Sequence, residues 1–208
     1  MGALAEENLQ DLLKELYEKA SGDSARWAES RDGAGQPDDD VLRMAEFYLA
    51  ISPEDGTLLY LLARASKARR LVEFGASFGI STLHLAAAAA DNDGHLFTTE
   101  VQPEKCAAVR DHLERAALSR FATVIEGDAR LTLRDIEGPV DFVLLDGWKD
   151  MYLPVLELLR PKLAEGALVA ADNWRHEGAA DYVAHMLDPN SGFTTRVIDD
   201  MGISCLTG

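Results

Sequence analysis

From residue 70 onward the chain alternates short apolar runs with longer helix-like ones, and that alternation constrains its fold more than any other feature. The runs are "RLVEF", "ISTLHLAAAAA", "HLFTT", "PEKCAAVRDHLERAA", "ATVIE", "ARLTLRDI", "VDFVLL", "MYLPVLELLRPKL" and "ALVAA". Strands separated by helical crossovers imply βαβ units, hence an α/β protein with a parallel sheet and helices on both faces. After "EGAADYVAHML", the runs "FTTRVI" and "GISCLTG" are separated by a short turn, so a terminal hairpin is expected to make the sheet mixed. The five alanines at 86–90 read as a close-packing helix surface. In open α/β sheets ligands bind beyond the carboxyl ends of the strands, so the residues that follow each strand should share one crevice.

The first 66 residues are expected to supply helices and a cap, and residues 67–208 the core of one domain. Leu4, Leu9, Leu12, Leu13, Leu16 and Tyr17 are spaced for an amphipathic helix. Residues 22–40, rich in Gly, Asp and Ser, read as a loop able to act as a lid. Residues 41–50 and 53–66 read as two helices, the second with Pro53 in its first turn. Twenty Lys and Arg against 36 Asp and Glu give a net charge of −16, which would repel a phosphate backbone and disfavours nucleic acid as a partner. No apolar run is long enough for a membrane span, and the acid-rich start is unlike a signal peptide. Cys106 and Cys205 stand apart without a pairing or CxxC motif, so a cytoplasmic, reducing location is expected. A homodimer is compatible with the sequence; nothing in it fixes the oligomeric state.

Four motifs carry chemistry. "VEFGASFGIST" joins the first strand to its helix through Gly75 and Gly79, where backbone and helix amides come close to a ligand. Its E-x-G-x-x-x-G spacing differs from a dinucleotide fingerprint and leaves room for a carboxylate ligand. Glu100, ending the second strand, is placed to accept both hydroxyls of a ribose, and Asp128 in "IEGDA" to meet an adenine amino group. Together these describe a pocket for a nucleoside with an amino acid tail, which is S-adenosylmethionine. Asp146, Asp172 and Asn173 follow the fourth and fifth strands; neighbouring strands lie about 4.8 Å apart, so three hard oxygen donors can converge on one Mg²⁺. The competing reading makes the two aspartates helix caps. Lys149, three residues after Asp146, is placed as a general base near that cation, with Trp148 as an apolar wall.

With "VEFGASFGIS", "TTEVQP", "LLDGWKDMYLP" and "LVAADN" in these positions, the chain resembles the class I S-adenosylmethionine-dependent O-methyltransferases of the catechol O-methyltransferase family, with the caffeoyl-coenzyme A branch related to it. The resemblance runs from about residue 45 to residue 185 and is most specific in D-x-W-K-D-x-Y. It implies a Rossmann-like, seven-stranded, mostly parallel sheet with the last strand antiparallel. It further implies that Glu73, Gly75 and Ser81, with backbone near Ile51, hold the methionine portion, that Glu100 binds the ribose, and that Val101, Asp128, Ala129 and Trp148 surround the adenine. Asp146 stands beside the cofactor and, with Asp172 and Asn173, on Mg²⁺; Lys149 is the base. Phe47, Tyr48 and Leu49 correspond to the family's gate residues, and Asp199 or Asp200 is the acid that would grip a second acceptor hydroxyl. Gly147 replaces a bulkier residue and is expected to widen the pocket.

The implied activity is methyl transfer to one hydroxyl of a small catechol-type aromatic. Two alternatives stand beside it: a metal-independent methyltransferase acting on another nucleophile, and a non-catalytic nucleoside-binding module.

Overall fold

In the computed structural model, which describes residues 2–30 and 44–208, strand β1 (Arg70–Phe74) is an interior strand of a seven-stranded sheet. The others are β2 (His95–Glu100), β3 (Ala122–Glu126), β4 (Val140–Leu145), β5 (Leu163–Ala171), β6 (Phe193–Ile198) and β7 (Met201–Leu206). Their order is β3-β2-β1-β4-β5-β7-β6. The pairings β1–β2, β1–β4, β2–β3 and β4–β5 are parallel, and β7 runs antiparallel to both β5 and β6. The expected hairpin therefore exists, but β7 lies between β5 and β6, leaving β6 at the edge. The chain reverses direction across the sheet between β1 and β4, the kind of switch point at which α/β proteins bind ligands.

Alternation along the strands divides the core in two. Leu71, Leu96, Phe142, Leu144 and Ala170 face α1 (Glu7–Ala20), α3 (Pro53–Ala65), α4 (Ile80–Asp91) and α5 (Pro103–Arg115). Val72, Phe74, Val143, Leu145, Val169 and Ala171 face the other way, toward α6 (Ala129–Thr132), α7 (Tyr152–Leu159) and α8 (Ala180–Leu187). Ala86, Ala87, Ala88 and Ala89 are completely buried, as the alanine run predicts, because a small side chain lets the α4 axis approach both the sheet and α3. The start of α3 follows the expected chemistry: Pro53 sits in the first turn and the Ser52 hydroxyl accepts from the Asp55 amide at 3.0 Å.

Two expectations near the N-terminus need correction. Within the stretch read as a loop, residues 23–30 form helix α2 (Asp23–Ser30), whose Asp23 carboxylate accepts from Arg26 one turn on at 2.8 Å; residues 31–40 lie outside the described residues. The helix expected over 41–50 reduces to one 3-10 turn, Met44–Glu46, after which residues 47–52 run without regular structure; 41–43 lie outside the described residues. Leu49 takes φ 49° there, a left-handed conformation that no helix accommodates. Among the described residues, no helix is long and apolar enough to cross a membrane.

Cys106 on α5 is fully buried, and burial pushes its thiol up to about 11, whereas Cys205 on β7 is partly accessible. Titration with a chromogenic disulfide at pH 8 should therefore modify one thiol in the native protein and the second only after denaturation. Rapid native reaction of both would contradict the packing of α5 against the sheet.

Candidate active site

The parallel strands end in register. Phe74 pairs with Thr99 and with Leu145, and Leu145 pairs with Ala171. The pairing continues one residue further in the backbone: Gly75 N donates to Thr99 O at 3.1 Å, Asp146 N to Phe74 O at 2.8 Å and Asp172 N to Leu145 O at 3.1 Å. Gly75, Glu100, Asp146 and Asp172 thus stand in one row along the crevice. Gly75 is required in that row: its φ is 97°, and a Cβ would lie 2.6–2.7 Å from backbone atoms of Asp146 and Gly147.

Glu73 lies beneath the row, fully buried. Its carboxylate accepts from the hydroxyls of Ser81 and Thr82, both at 2.6 Å, and from that of Thr98. Burial raises its pKa and the three hydroxyls oppose the rise. The carboxylate braces β1, β2 and the first turn of α4 against one another instead of facing the crevice. The Ser81 hydroxyl is spent on it, and Gly79 starts α4 with φ 85°.

Glu100 ends β2 beside the β1–α4 turn. One carboxylate oxygen accepts from the Val101 and Gln102 amides at 2.8 and 3.0 Å, the other from the Ser77 amide at 2.9 Å. A carboxylate has roughly four acceptor positions, so the oxygen facing Ser77 retains one for a ligand hydroxyl. Asp128, by contrast, caps α6: it accepts from Arg130 N at 2.9 Å and pairs with the Arg130 guanidinium at 2.6 Å, which holds its carboxyl below the usual range. Val101 and Trp148 are exposed at the rim, and Ala129 is buried.

Asp146 and Asp172 do not act as helix caps. The 3-10 turn Lys149–Met151 is preceded by Trp148 and the turn Glu177–Ala179 is capped by His176. Asp146 accepts from Lys149 Nζ at 3.1 Å, with only 11% and 15% of the two side chains exposed. Burial pushes Asp146 up to about 7; Lys149 opposes that shift and the neighbouring Asp172 adds to it. Asp172 is also raised, chiefly by burial. Two sheltered carboxylates therefore share one ammonium. That residual negative charge, built from hard oxygen donors with Asn173 beside them (φ 51°), suits a hard divalent cation. Among the described residues no group of three or more His, Cys, Asp or Glu is placed to hold a metal ion.

The turn between β6 and β7 holds its two acids differently. Asp200 accepts from the Arg175 amide at 2.9 Å and its own carbonyl accepts from Trp174 N at 2.8 Å, which ties it to the loop after Asp172. Asp199, at φ 52°, is exposed beside it. In the gate segment Phe47 and Ile51 are buried, Tyr48 stacks on Phe78 with centroids 4.4 Å apart, and Leu49 is exposed.

A methyltransferase domain model matches residues 72–174. Catechol O-methyltransferase of Mycobacterium tuberculosis is 34% identical over 155 residues, covering 74% of this chain and 69% of its own. The chain belongs to the catechol O-methyltransferase family of class I S-adenosylmethionine-dependent O-methyltransferases. The catechol O-methyltransferase of Niastella koreensis is 32% identical over 151 residues, with 69% of this chain and 63% of that relative matched. Among solved structures, cofactor-bound Rv0187 from MTB superposes with a TM-score of 0.71 at 26% identity, covering 88% of this chain and 96% of that one. The O-methyltransferase TomG from Streptomyces achromogenes, in complex with SAM, gives 0.69 at 27% identity, covering 77% and 82%.

Sequence reasoning missed four contributors to this family member's site. Thr82, in the first turn of α4, and Thr98, on β2, complete the Glu73 brace. Tyr152, the last residue of D-x-W-K-D-x-Y, accepts from Lys149 Nζ at 2.8 Å and donates to Asp172 O at 3.1 Å, bridging the lysine to the second carboxylate's backbone. Lys105 is a buried cation under the gate, hidden in an ordinary amphipathic helix pattern. The pocket widening expected from Gly147 does not occur, because the Phe74 ring occupies the space its side chain would need. Gly147→Ala should consequently cost about 1–3 kcal/mol by overpacking. In a Phe74→Leu background the cost should shrink, as a double-mutant cycle by denaturant unfolding would read; equal costs in both backgrounds would contradict the contact.

Proposed function

We propose that this chain transfers a methyl group from S-adenosylmethionine to one hydroxyl of a catechol-type aromatic, with Mg²⁺ or a similar hard cation as cofactor. The observation that carries the reading is the pair of sheltered carboxylates, Asp146 and Asp172, served by a single ammonium in the same row as Glu100. When bound, S-adenosylmethionine supplies an electrophilic methyl group and the cation supplies positive charge that acidifies a phenolic hydroxyl. Asp146, Asp172 and Asn173 would hold the cation. Glu100 would accept a ribose hydroxyl, Val101, Ala129 and Trp148 would border the adenine, and Gly75, Ser81 and the backbone at Ile51 would border the methionine portion. Glu73 acts from beneath, by fixing the turn that carries Gly75 and the start of α4. Asp128 serves the adenine side by fixing the entry to α6.

Lys149 Nζ is the proton acceptor. In its neutral form the amine donates its two N–H groups to Asp146 and Tyr152 and keeps its lone pair for the hydroxyl proton. The exposed Leu49 and Trp148 would supply an apolar rim for an aromatic ring, with the buried Phe47 in the same segment, and Asp200, in preference to Asp199, would grip the second hydroxyl. The rest of the catalysis is orientation and exclusion of water. The relatives' names support a catechol acceptor, and the acidic crevice disfavours an anionic one.

A panel of catechols, caffeoyl esters and flavonoids incubated with methyl-labelled S-adenosylmethionine should give a monomethyl ether only with Mg²⁺ present, and excess chelator should abolish it. Turnover undiminished in chelator would instead favour the metal-independent alternative. Lys149→Met should lower kcat by about 10²-fold to 10⁴-fold while leaving cofactor affinity within a few-fold; full activity in that variant would remove Lys149 from the reaction.

A further inference from the structure

Every residue of the gate segment 47–49 is held through its backbone by a different part of the protein. Phe47 O accepts from Lys105 Nζ at 2.9 Å, Tyr48 O from the Ser77 hydroxyl at 2.8 Å, and Leu49 N donates to Asp23 at 3.0 Å. Lys105 is the hub. Only 2% of it is exposed, its ammonium also donates to Ser77 Oγ at 3.0 Å, and it lies 5.2 Å from the centre of the Phe78 ring on which Tyr48 stacks. Ser77 in turn donates its amide to Glu100 at 2.9 Å from a left-handed conformation, φ 46°, that a serine adopts only when its surroundings impose it. A buried ammonium is retained only when its donors are used, and here two of three meet oxygens and its opposite charges are Glu100 and Asp23.

We propose that Lys105 is a positioning residue that joins the gate to the cofactor side: through Ser77 it makes segment 47–49, the β1–α4 turn and the Glu100 carboxylate one hydrogen-bonded unit. A ligand that engages Glu100 then stiffens the acceptor wall without touching it. Because all three anchors are backbone groups, the exposed Leu49 side chain can vary to set acceptor specificity while the latch stays the same. The inference rests on the O-methyltransferase reading, in which Glu100 faces the ribose and 47–49 the acceptor.

Lys105→Met keeps the buried stem and removes the ammonium. Hydrogen exchange read by mass spectrometry should show a peptide covering 44–49 losing protection in this variant. Adding S-adenosylhomocysteine should raise protection of that peptide in the parent protein but only at 75–79 and 100–102 in the variant. In steady-state assays the acceptor KM should rise roughly tenfold, the order of one charge-assisted hydrogen bond, with a smaller change in kcat and partial rescue by Lys105→Arg. A lowered melting temperature with unchanged exchange at 44–49 would overturn the proposal, since it would leave Lys105 a merely structural cation. Equal ligand-induced protection in parent and variant would overturn it too. If Lys105→Met does not fold, Ser77→Ala removes the link from the other side and is read by the same peptide. Exchange requires no turnover, so a parent protein inactive on every acceptor would sink the functional reading and leave the latch to be decided by the ligand-free exchange.

Discussion

The site depends on the register in which four parallel strands stop. With Phe74 opposite both Thr99 and Leu145, and Leu145 opposite Ala171, the residue after each strand falls into one row. Backbone hydrogen bonds from Gly75, Asp146 and Asp172 extend the pairing by one step and leave little freedom in where the side chains begin. A shift of one residue in any of these strands would turn its terminal side chain to the opposite face, because the side-chain period of a strand is two. The apolar alternation that divides the core between the two helical layers is what forbids that shift. Packing thus fixes the chemistry: Leu71, Phe142 and Leu144 on one face and Val72, Val143 and Leu145 on the other decide where Asp146 emerges.

Within this frame the protein treats its buried carboxylates in two ways. Glu73 accepts from three hydroxyl donors, so its polar demand is met inside the fold and it can act as a brace. Asp146 and Asp172 are left short of donors, with one ammonium between them, and both are pushed toward protonation by their surroundings. A buried charge without its full complement of partners is destabilising, which is why such groups are concentrated at functional sites. The same reasoning applies to Tyr152: placed between Lys149 and the Asp172 carbonyl, it fixes the amine by a short, partly buried contact and packs edge-on with Phe74 and Tyr182.

Much of this was legible in the sequence. The strands "RLVEF", "ATVIE", "VDFVLL" and "FTTRVI" coincide with β1, β3, β4 and β6, because short apolar runs bounded by polar turns have few other uses. Asp146, Asp172, Glu100 and Lys149 were legible for a related reason: each stands directly beyond a strand or in the turn that follows, where topology alone implies a crevice. Segments whose structure is imposed from a distance were not legible. Residues 47–50 continue the helical pattern expected over 41–50, yet three anchors far away in sequence draw the chain out at 47–49. Asp128 was read as a ligand contact although Arg130, two residues on, competes for it locally. The effect of Gly147 could not be inferred from its own position, since the compensating bulk comes from Phe74, distant in sequence and adjacent in the sheet.

The claim underlying all of this is that the paired ends of β4 and β5 form a seat for one divalent ion. Titrating the protein with Mn²⁺ in a calorimeter, or by the loss of the free-ion electron paramagnetic resonance signal, tests it directly. One ion per chain is predicted, with binding lost or weakened at least roughly tenfold in both Asp146→Asn and Asp172→Asn, the order of one lost charged ligand. A parent protein that takes up no Mn²⁺ even with S-adenosylhomocysteine present, or variants that bind it as well as the parent does, would contradict the account.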